Sequence, residues 1–323
     1  MKKKIGVGVL GCANIAIRSL IPAFFIHPEF CLQAIGSRDI SKASTIAEQY
    51  RIEACGYEEL LENKQIDLIY IPLPTSLHKE WVINSIMKGK HVLCEKSLGV
   101  SLKEVEEMVN IARINQKALI ENFQFQYHSQ QQFIKNMLKQ CELGEIRCFR
   151  SSFGFPPFNN LNNIRYNKSL GGGALLDAGA YTIKAVQFFL EDTFTATSAK
   201  LVKPNNYEVE IYGGGFLESN SQLIAEIAFG FDNFYQCNIE IWGSKGKLTA
   251  NRVFTAPADF TPEVILETSQ GTKKYQLAKD NHFDKMLDHV AESINQGSYE
   301  SDYIANYNQA QLIQQFKDRS DEK

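Results

Sequence analysis

The sequence lacks several features that mark particular classes of protein. Its 34 lysines and arginines are outnumbered by 37 aspartates and glutamates, for a formal net charge of −3. It therefore has no basic excess for binding nucleic acid and no polybasic membrane anchor. No apolar run approaches the roughly 20 residues of a membrane-spanning helix. We expect a protein whose partners include neither nucleic acid nor membrane.

Cysteine and histidine are also too scattered to suggest a disulfide framework or a metal site. The seven cysteines are odd in number and show no C-x-x-C spacing, and the six histidines show no ligand spacing. This pattern gives no support for zinc chemistry and predicts reduced, mostly buried thiols in a cytoplasm. We predict no metal site.

The N-terminus combines lysines, a short apolar stretch and a cysteine, as a lipoprotein export signal does. A signal core needs about 7–15 strongly apolar residues. Between Lys4 and Cys12 the chain has IGVGVLG, in which three of seven residues are glycine, and another apolar stretch follows. We therefore expect the mature N-terminus of a cytoplasmic protein.

The same stretch contains a literal G-x-G-x-x-G motif, typical of a dinucleotide-binding turn, at Gly6, Gly8 and Gly11. Such a turn must follow the first strand and open a helix whose amides face the pyrophosphate. A turn at Gly6 would leave a lysine cluster and Ile5 as the strand, whereas a turn at Gly11 leaves a strand over residues 4–10. We therefore predict a degenerate G-x-A-x-x-A motif that begins at Gly11. The predicted cofactor contacts in this turn are Gly11, Cys12, Ala13, Asn14 and Ile15.

The residue expected at the adenosine ribose supports this placement. It lies about 20 residues beyond the motif, at the end of the second strand. Counting from Ala16 reaches Ser37, directly after the apolar run 31–36. NAD-preferring sites place a carboxylate there, whereas Ser37 is followed by Arg38, whose guanidinium suits a 2′-phosphate. The adjacent Asp39 keeps the NAD alternative open, but we predict NADP(H), bound in part by Ser37 and Arg38.

The order of apolar runs predicts an α/β fold with two domains. Over residues 4–121, short apolar runs alternate with amphipathic helical patterns, as in a Rossmann-type, doubly wound parallel sheet. Over residues 194–277, short strands with tight turns indicate an open, mainly antiparallel sheet. We predict a Rossmann domain at 1–121 that binds NADP and a second α/β domain at 122–323. The polar tail at Lys317–Lys323 is expected to fray.

Residues capable of chemistry follow the third and fourth predicted strands, at the sheet edge where parallel sheets bind ligands. Leu73 and His78 follow the third strand. We place His78 near the cofactor, with a surface loop histidine as the alternative. The fourth strand ends in Glu95 and Lys96, an unusual pair because unpaired burial of charge is costly. A structural ion pair is the alternative there.

A second candidate region begins at the glycines Gly171-Gly172-Gly173, which precede a predicted helix and would again present backbone amides to a ligand. In that helix, Asp177, Tyr181 and Lys184 stand at i, i+4 and i+7 and share one face. They form either part of a site or a solvated polar stripe.

Five short motifs occur in an order that covers nearly the whole chain. They are Gly11-Cys12-Ala13, Ser37-Arg38-Asp39, Ile71-Pro72-Leu73-Pro74, Glu95-Lys96 and Asp177-x-Gly179-x-Tyr181. The set resembles the glucose–fructose oxidoreductase/inositol dehydrogenase (Gfo/Idh/MocA) family. Residues 153–157, 163–166 and 171–177 are most similar to its NADP-dependent nucleotide-sugar 3-ketoreductases. The chain departs from the family at Ser97, because the family's usual Glu-Lys-Pro has become Glu-Lys-Ser.

The resemblance implies NADPH-dependent reduction of a keto group on a nucleotide-linked sugar, a 3-keto-deoxysugar. Lys96 and Tyr181 would be the catalytic residues that stabilise and protonate the alkoxide. They would contact the substrate together with Tyr235 and Thr255, for which an ordinary strand tyrosine and turn threonine are the alternative. The remaining implied cofactor contacts are Leu73, His78, Glu95, Lys96, Arg165 and Asp177.

Two other functions stay open. One is an NADP-dependent dehydrogenase of a free sugar or dihydrodiol, which would need a smaller pocket. The other is a non-catalytic NADP-binding sensor, against which the presence of both Lys96 and Tyr181 argues. A nucleotide sugar needs a longer cleft, which Phe153, Phe155 and Phe158 are expected to line unless they belong to the core. The resemblance also implies a homo-oligomer, a dimer or tetramer, formed through the second sheet.

Overall fold

The computed structural model of the protein describes residues 3–160 and 162–321. Its contacts divide the chain into two compact units. The first runs to Asn122 and also includes Phe283–Ala310, and the second consists of Phe123–His282 and the chain from Gln311 onward. The sequence predicted a single boundary after residue 121. The contacts place the boundary after Asn122 and also assign Phe283–Ala310 to the first unit.

The first unit contains a parallel sheet, as predicted, but its six strands are one more than the five apolar runs of the sequence, because Glu53–Cys55 is an additional strand. Its strands are β1 (Ile5–Leu10), β2 (Phe30–Gly36), β3 (Glu53–Cys55), β4 (Leu68–Ile71), β5 (His91–Glu95) and β6 (Leu119–Asn122). In the order β3-β2-β1-β4-β5-β6, successive strands are added on one side of β1 and then, from β4 onward, on its other side. Doubly wound sheets bind ligands at this switch point, between β1 and β4. Every residue of β1 is buried, which explains its continuous apolar sequence.

Three helices of the first unit occupy the predicted amphipathic stretches, and two others, over residues 21–26 and 57–62, are additional. They are α1 (Ile21–Ile26), α2 (Ile40–Tyr50), α3 (Tyr57–Glu62), α4 (His78–Met87) and α5 (Leu102–Ile114). Polar residues cap the N-termini of two of these helices. The Asp39 carboxylate accepts a hydrogen bond from the Ser41 amide at 3.2 Å, and the Ser101 hydroxyl accepts one from the Glu104 amide at 3.3 Å.

The second unit contains an eight-stranded, mainly antiparallel sheet, again as predicted. Its elements are α6 (Ser129–Lys139), β7 (Ile146–Gly154), α7 (Ala180–Leu190), β8 (Phe194–Val202), β9 (Tyr212–Ser219), β10 (Ile224–Gly230), β11 (Gln236–Gly243), β12 (Gly246–Asn251), β13 (Glu263–Thr268) and β14 (Gly271–Gln276). The strand order is β14-β13-β12-β11-β7-β10-β9-β8, with β7 and β10 parallel. Helix α7 packs against β7 and β10. In β11, buried residues alternate with more exposed ones, so one face of the sheet is open.

Two helices, α8 (His282–Gln296) and α9 (Glu300–Asp321), complete the chain. The predicted fraying is wrong for residues 317–321, which belong to α9. Near its end, the Arg319 guanidinium donates to the Ala196 carbonyl at 3.2 Å, and the Ser320 hydroxyl accepts from the Leu201 amide at 2.9 Å. Arg319 and Ser320 therefore have partners on β8. Glu322 and Lys323 lie outside the described residues.

Neither a membrane-crossing helix nor a metal-binding cluster is found within residues 3–160 and 162–321. No helix there is both long and apolar enough to span a bilayer. No group of three or more His, Cys, Asp or Glu side chains in the same ranges could hold a metal ion. The cysteines carry free thiols.

Candidate active site

The turn after β1 begins at Gly11, as predicted, and the first two glycines of the literal motif are part of the strand. Gly6 and Gly8 lie within β1, where a Cβ on Gly6 would come within 1.8 Å of the Gln65 carbonyl oxygen. Gly11 has φ +127°, which favours glycine. A Cβ at Gly11 would also lie 2.9 Å from Leu73 Cδ2, so the ends of β1 and β4 meet here. Helical backbone begins at Asn14.

The end of β2 brings Cys12, Ser37 and Arg38 together. Ser37 is buried, and its hydroxyl accepts a hydrogen bond from the Asp39 amide at 3.1 Å. Burial raises the pKa of the Cys12 thiol, and a hydrogen bond with Ser37 acts in the opposite sense. The Arg38 side chain is exposed and lies beside Tyr57, where burial raises the pKa of the phenol and Arg38 opposes that rise.

Asp39, which had kept the NAD alternative open, is engaged by the start of α2. Its Oδ1 accepts hydrogen bonds from the Ser41 amide at 3.2 Å and from the Ser41 hydroxyl at 2.6 Å. Its Oδ2 lies 3.7 Å from Lys42 Nζ, and these contacts, the Ser41 hydroxyl first, lower the pKa of the carboxyl. Asp39 therefore acts as a helix cap, although both it and Arg38 are exposed at the end of β2.

Glu95 ties together the carboxyl ends of three adjacent strands. Its Oε1 accepts hydrogen bonds from the Tyr70 hydroxyl of β4 and the Asn122 amide of β6, both at 2.7 Å. Burial raises the pKa of the Glu95 carboxyl, while these hydrogen bonds oppose the rise. Lys96 follows directly and is partly exposed, and the Lys96–Ser97 peptide bond is cis. This network fixes the backbone from which Lys96 projects.

His78 is buried rather than on a surface loop. Its side chain has no exposed surface. Nδ1 lies 2.9 Å from the Ser97 carbonyl oxygen and Nε2 lies 2.7 Å from the Leu73 carbonyl oxygen. Burial lowers the pKa of the ring. His78 thus contacts the backbone of two segments predicted to meet the cofactor, and its direct contact with the cofactor stays a prediction.

In the second unit, Arg165 and Asp177 form a close ion pair. Arg165 Nε donates to Asp177 Oδ2 at 2.6 Å, and Asp177 raises the pKa of the guanidinium. The guanidinium carbon lies 5.0 Å from the centroid of the Phe158 ring. Asp177 belongs to a π-helical turn, Leu175–Gly179, that leads into α7. The pair orients a partly exposed cation, as a phosphate or ribose contact requires.

Tyr181 lies in the first turn of α7 inside an aromatic cluster. Its ring centroid is 5.3 Å from that of Phe153, 5.5 Å from that of Phe123 and 5.6 Å from that of Phe254. Gln124 Nε2 donates to the Tyr181 hydroxyl at 3.4 Å. Tyr181 and Lys184 are each 7% exposed, so the alternative of a solvated polar stripe is wrong. Packing against these rings fixes the orientation of the Tyr181 ring. The hydroxyl is the part of this side chain that can transfer a proton.

One of the three aromatic residues predicted to line the cleft is buried in the core. Phe153 is buried and packs against Tyr181. Phe155 and Phe158 are partly exposed, but their rings lie 5.3 and 5.7 Å from the Phe231 ring. The core interpretation is therefore correct for Phe153.

The predicted substrate residues Tyr235 and Thr255 are brought together. Their hydroxyl oxygens are 3.4 Å apart, and the Arg252 guanidinium carbon lies 5.1 Å from the centroid of the Tyr235 ring. Phe234, next to Tyr235, is 88% exposed. Arg252, which the sequence analysis did not single out, lies beside this pair.

Comparison with known proteins identifies close relatives. Residues 5–123 match the family model described as an oxidoreductase family with an NAD-binding Rossmann fold, and residues 132–249 match the GFO/IDH/MocA C-terminal domain. A dTDP-3,4-didehydro-2,6-dideoxy-alpha-D-glucose 3-reductase from Saccharopolyspora spinosa is 34% identical over 92% of this chain and 90% of its own. The enzyme of the same name from Actinomadura kijaniata is 37% identical, over 91% and 89%. The crystal structure of KijD10, a 3-ketoreductase from Actinomadura kijaniata in complex with NADP and TDP-benzene, superposes with a TM-score of 0.94 at 35% identity and covers 98% of both chains.

Proposed function

The chain belongs to the Gfo/Idh/MocA family of oxidoreductases, and from this premise we propose that it uses NADPH to reduce the keto group of a nucleotide-linked 3-keto-deoxysugar. The relatives with that reaction in their names match nearly its full length. The observation that carries the proposal is the joint presence of Lys96, at the end of β5, and Tyr181, whose phenol is fixed by aromatic packing. A protein that only binds the nucleotide needs neither proton donor.

The residues present fit an NADP cofactor. The close approach of Gly11 to Leu73 leaves no room for a side chain in the turn, and the helical amides from Asn14 onward can face a pyrophosphate. Arg38 is exposed at the end of β2 for a 2′-phosphate. When bound, NADPH supplies the hydride. We assign the protonation of the resulting alkoxide to Lys96 and Tyr181.

Arg38→Ala is expected to weaken NADPH binding at least tenfold and NADH binding little. Losing one charged contact costs about 1.5–3 kcal/mol, and NADH has no 2′-phosphate for the guanidinium to contact. Fluorescence titration with each cofactor measures both affinities. Arg51→Ala is the matched control, because Arg51 is exposed at the other end of α2. Equal losses for NADPH and NADH would show that Arg38 does not select the phosphate.

The cluster of Arg252, Tyr235 and Thr255 supports a nucleotide-linked substrate over a free sugar. A guanidinium is suited to a diphosphate, two adjacent hydroxyls can contact the sugar, and the exposed ring of Phe234 can stack on a base. A free aldose carries neither diphosphate nor base, so this cluster would have no role.

Calorimetric titration with dTDP or UDP in the presence of NADP tests this substrate class. We expect micromolar binding that is weakened at least about tenfold in Arg252→Ala, since one charge-assisted contact is lost. Arg147→Ala, an exposed arginine of β7 in the same unit, should bind as the wild type does. Turnover of a free aldose with no nucleoside diphosphate binding would contradict the proposal.

We also propose that the open sheet face pairs with a second copy of the chain. Register aligns Phe216, Glu226, Arg150 and Glu240 in one row across it. Arg150 bridges both carboxylates, at 3.0 and 2.8 Å, and lies 5.4 Å from the ring centroid of the half-exposed Trp242. A face that mixes apolar rings with both charges can be self-complementary across a twofold axis. Light scattering should give a multiple of the 36.6 kDa chain mass that Trp242→Glu reduces, and a monomeric wild type would contradict this proposal.

A further inference from the structure

The chain immediately after Lys96 is held by side chains from two neighbouring elements. Glu121 of β6 accepts a hydrogen bond from the Leu98 amide at 2.8 Å through its Oε1. His78, the first residue of α4, places Nδ1 2.9 Å from the Ser97 carbonyl oxygen. All these residues are buried, with Glu121 8% and His78 0% exposed. The main chain of residues 97 and 98 is therefore fixed on both sides.

The His78 ring contacts a second segment at the same time. Its Nε2 lies 2.7 Å from the Leu73 carbonyl oxygen, so one rigid ring spans the segments that follow β4 and β5. Burial lowers the pKa of this ring, and the contacts with the Leu73 and Ser97 carbonyls oppose that shift. A carbonyl oxygen only accepts, and a neutral imidazole carries a proton on one ring nitrogen only, so the neutral ring donates to one of the two carbonyls and packs against the other. Displacing the ring would disturb both segments.

Ser97 explains why these contacts matter in this chain. A proline would restrict φ through its own ring, whereas serine allows a wider range of backbone conformations. A buried amide or carbonyl also needs a hydrogen-bond partner. Glu121 meets that need for the Leu98 amide, and the tautomer of His78 that is protonated at Nδ1 meets it for the Ser97 carbonyl. Both side chains restrict the backbone from outside the segment.

We propose that Glu121 and His78 are positioning residues for Lys96. By fixing the backbone of Ser97 and Leu98, they hold the Lys96 ammonium where it protonates the substrate oxygen. The inference rests on the proposed function, in which Lys96 is a proton donor. Misplacement of a reacting group by about 1 Å can lower a rate on the order of 10²-fold, so the two positions should affect turnover without contacting substrate.

Paired substitutions at Glu121 test this role. Glu121→Met keeps the length of the side chain and removes the acceptor, whereas Glu121→Gln keeps an oxygen at its end. We expect Glu121→Met to lower kcat about 10–100-fold, with the NADPH Kd within about threefold of the wild-type value. Glu121→Gln should keep a kcat much closer to that of the wild type. Glu104→Met is the matched control, because Glu104 accepts a main-chain hydrogen bond from Val100 at 3.0 Å in the same unit, and its kcat should stay within about twofold.

Testing the same substitution in a protein that lacks Lys96 shows whether Glu121 acts by positioning Lys96 or by stabilising the fold in general. In a Lys96→Ala protein, Glu121→Met should have no further effect on kcat, because a residue that acts through Lys96 loses its role with it. A merely structural role would lower kcat in both backgrounds. An equal loss in both, or a kcat for Glu121→Met within about twofold of wild type, would overturn the inference.

Hydrogen exchange at the Leu98 amide, measured without substrate, separates this inference from the proposed function. We expect slow exchange in the wild type and exchange at least about tenfold faster in Glu121→Met. If that variant does not fold, Glu121→Asp shortens the reach of the carboxylate and His78→Phe removes both ring nitrogens, and either gives the same comparison. A wild type inactive on keto sugars would remove the function but not the exchange result. Unchanged exchange in the folded variants would overturn the inference whatever the substrate.

Discussion

Lys96→Ala is expected to lower kcat for keto-sugar reduction by about 10²–10⁴-fold, the range of a single general-acid contribution. The affinity for NADPH should stay within severalfold, because proton delivery does not require contact with the pyrophosphate. The lysine is fixed at the strand end by the Glu95 network, so the substitution removes the ammonium and leaves its support in place. Steady-state kinetics and cofactor titration on the same preparation measure both quantities.

A charge-preserving variant shows whether the proton or the charge matters. Lys96→Arg keeps the positive charge but holds its proton too tightly to donate it, so it should not restore the rate. Lys88→Ala, an exposed lysine that pairs with Glu62 in the same unit, is the matched control and should turn over as the wild type does. Full activity in Lys96→Ala, with a deuterium isotope effect showing that hydride transfer limits the rate, would remove Lys96 from the mechanism.

The Rossmann unit was predictable from sequence because its determinants are local. Parallel strands buried on both faces require continuous apolar runs, and such a run at residues 5–10 cannot also be the turn. That requirement rejected Gly6 as the start of the turn in favour of Gly11. The φ of +127° at Gly11 confirms this placement. Ser37 was found in the same way, because the end of β2 is defined by where its apolar run stops.

Helix α9 was not predicted, because its buried face is partly polar: Asn306 and Gln309 are 3% and 1% exposed. Tyr303 and Asn306 bond to the Lys117 and Leu119 carbonyls in the first unit, whereas Gln315 accepts from the Ala196 amide in the second. The helix belongs to the first unit as far as Ala310 and to the second beyond it. Amphipathic periodicity is detected from apolar residues on the buried face, and polar residues on that face weaken the signal.

In the candidate site, the proposed functional residues form short sequence patterns, whereas the residues that hold them in place are distant in the sequence. Glu95-Lys96 and Asp177-x-x-x-Tyr181 are short patterns, and they could be found by inspection. The contacts that hold them come from distant sequence. Glu121 bonds to Leu98, and Tyr70 bonds to Glu95. Strand order determines those pairs, so no spacing in the sequence could have indicated them.

Tyr181→Phe is expected to lower kcat about 10²-fold or more while the protein stays folded and binds NADPH. The rings around position 181 contact the aromatic body of the side chain, which phenylalanine retains, so only the hydroxyl is lost. A single hydrogen bond contributes about 0.5–1.5 kcal/mol to stability, and the 3.4 Å contact from Gln124 is long for one. The large change should therefore be in turnover, where a general acid contributes about 10²–10⁴-fold.

Combining the two substitutions tests whether the phenol and the ammonium work as a unit. If Tyr181 delivers the proton with help from Lys96, the Lys96→Ala/Tyr181→Phe double variant should be about as slow as the slower single variant, because groups that act together are non-additive. If they act independently, the losses should multiply. Tyr275→Phe, on β14 of the same unit, controls for loss of a phenol elsewhere and should leave kcat unchanged. Full turnover in Tyr181→Phe under rate-limiting chemistry would make the tyrosine a packing residue and leave the proton to Lys96 or to water.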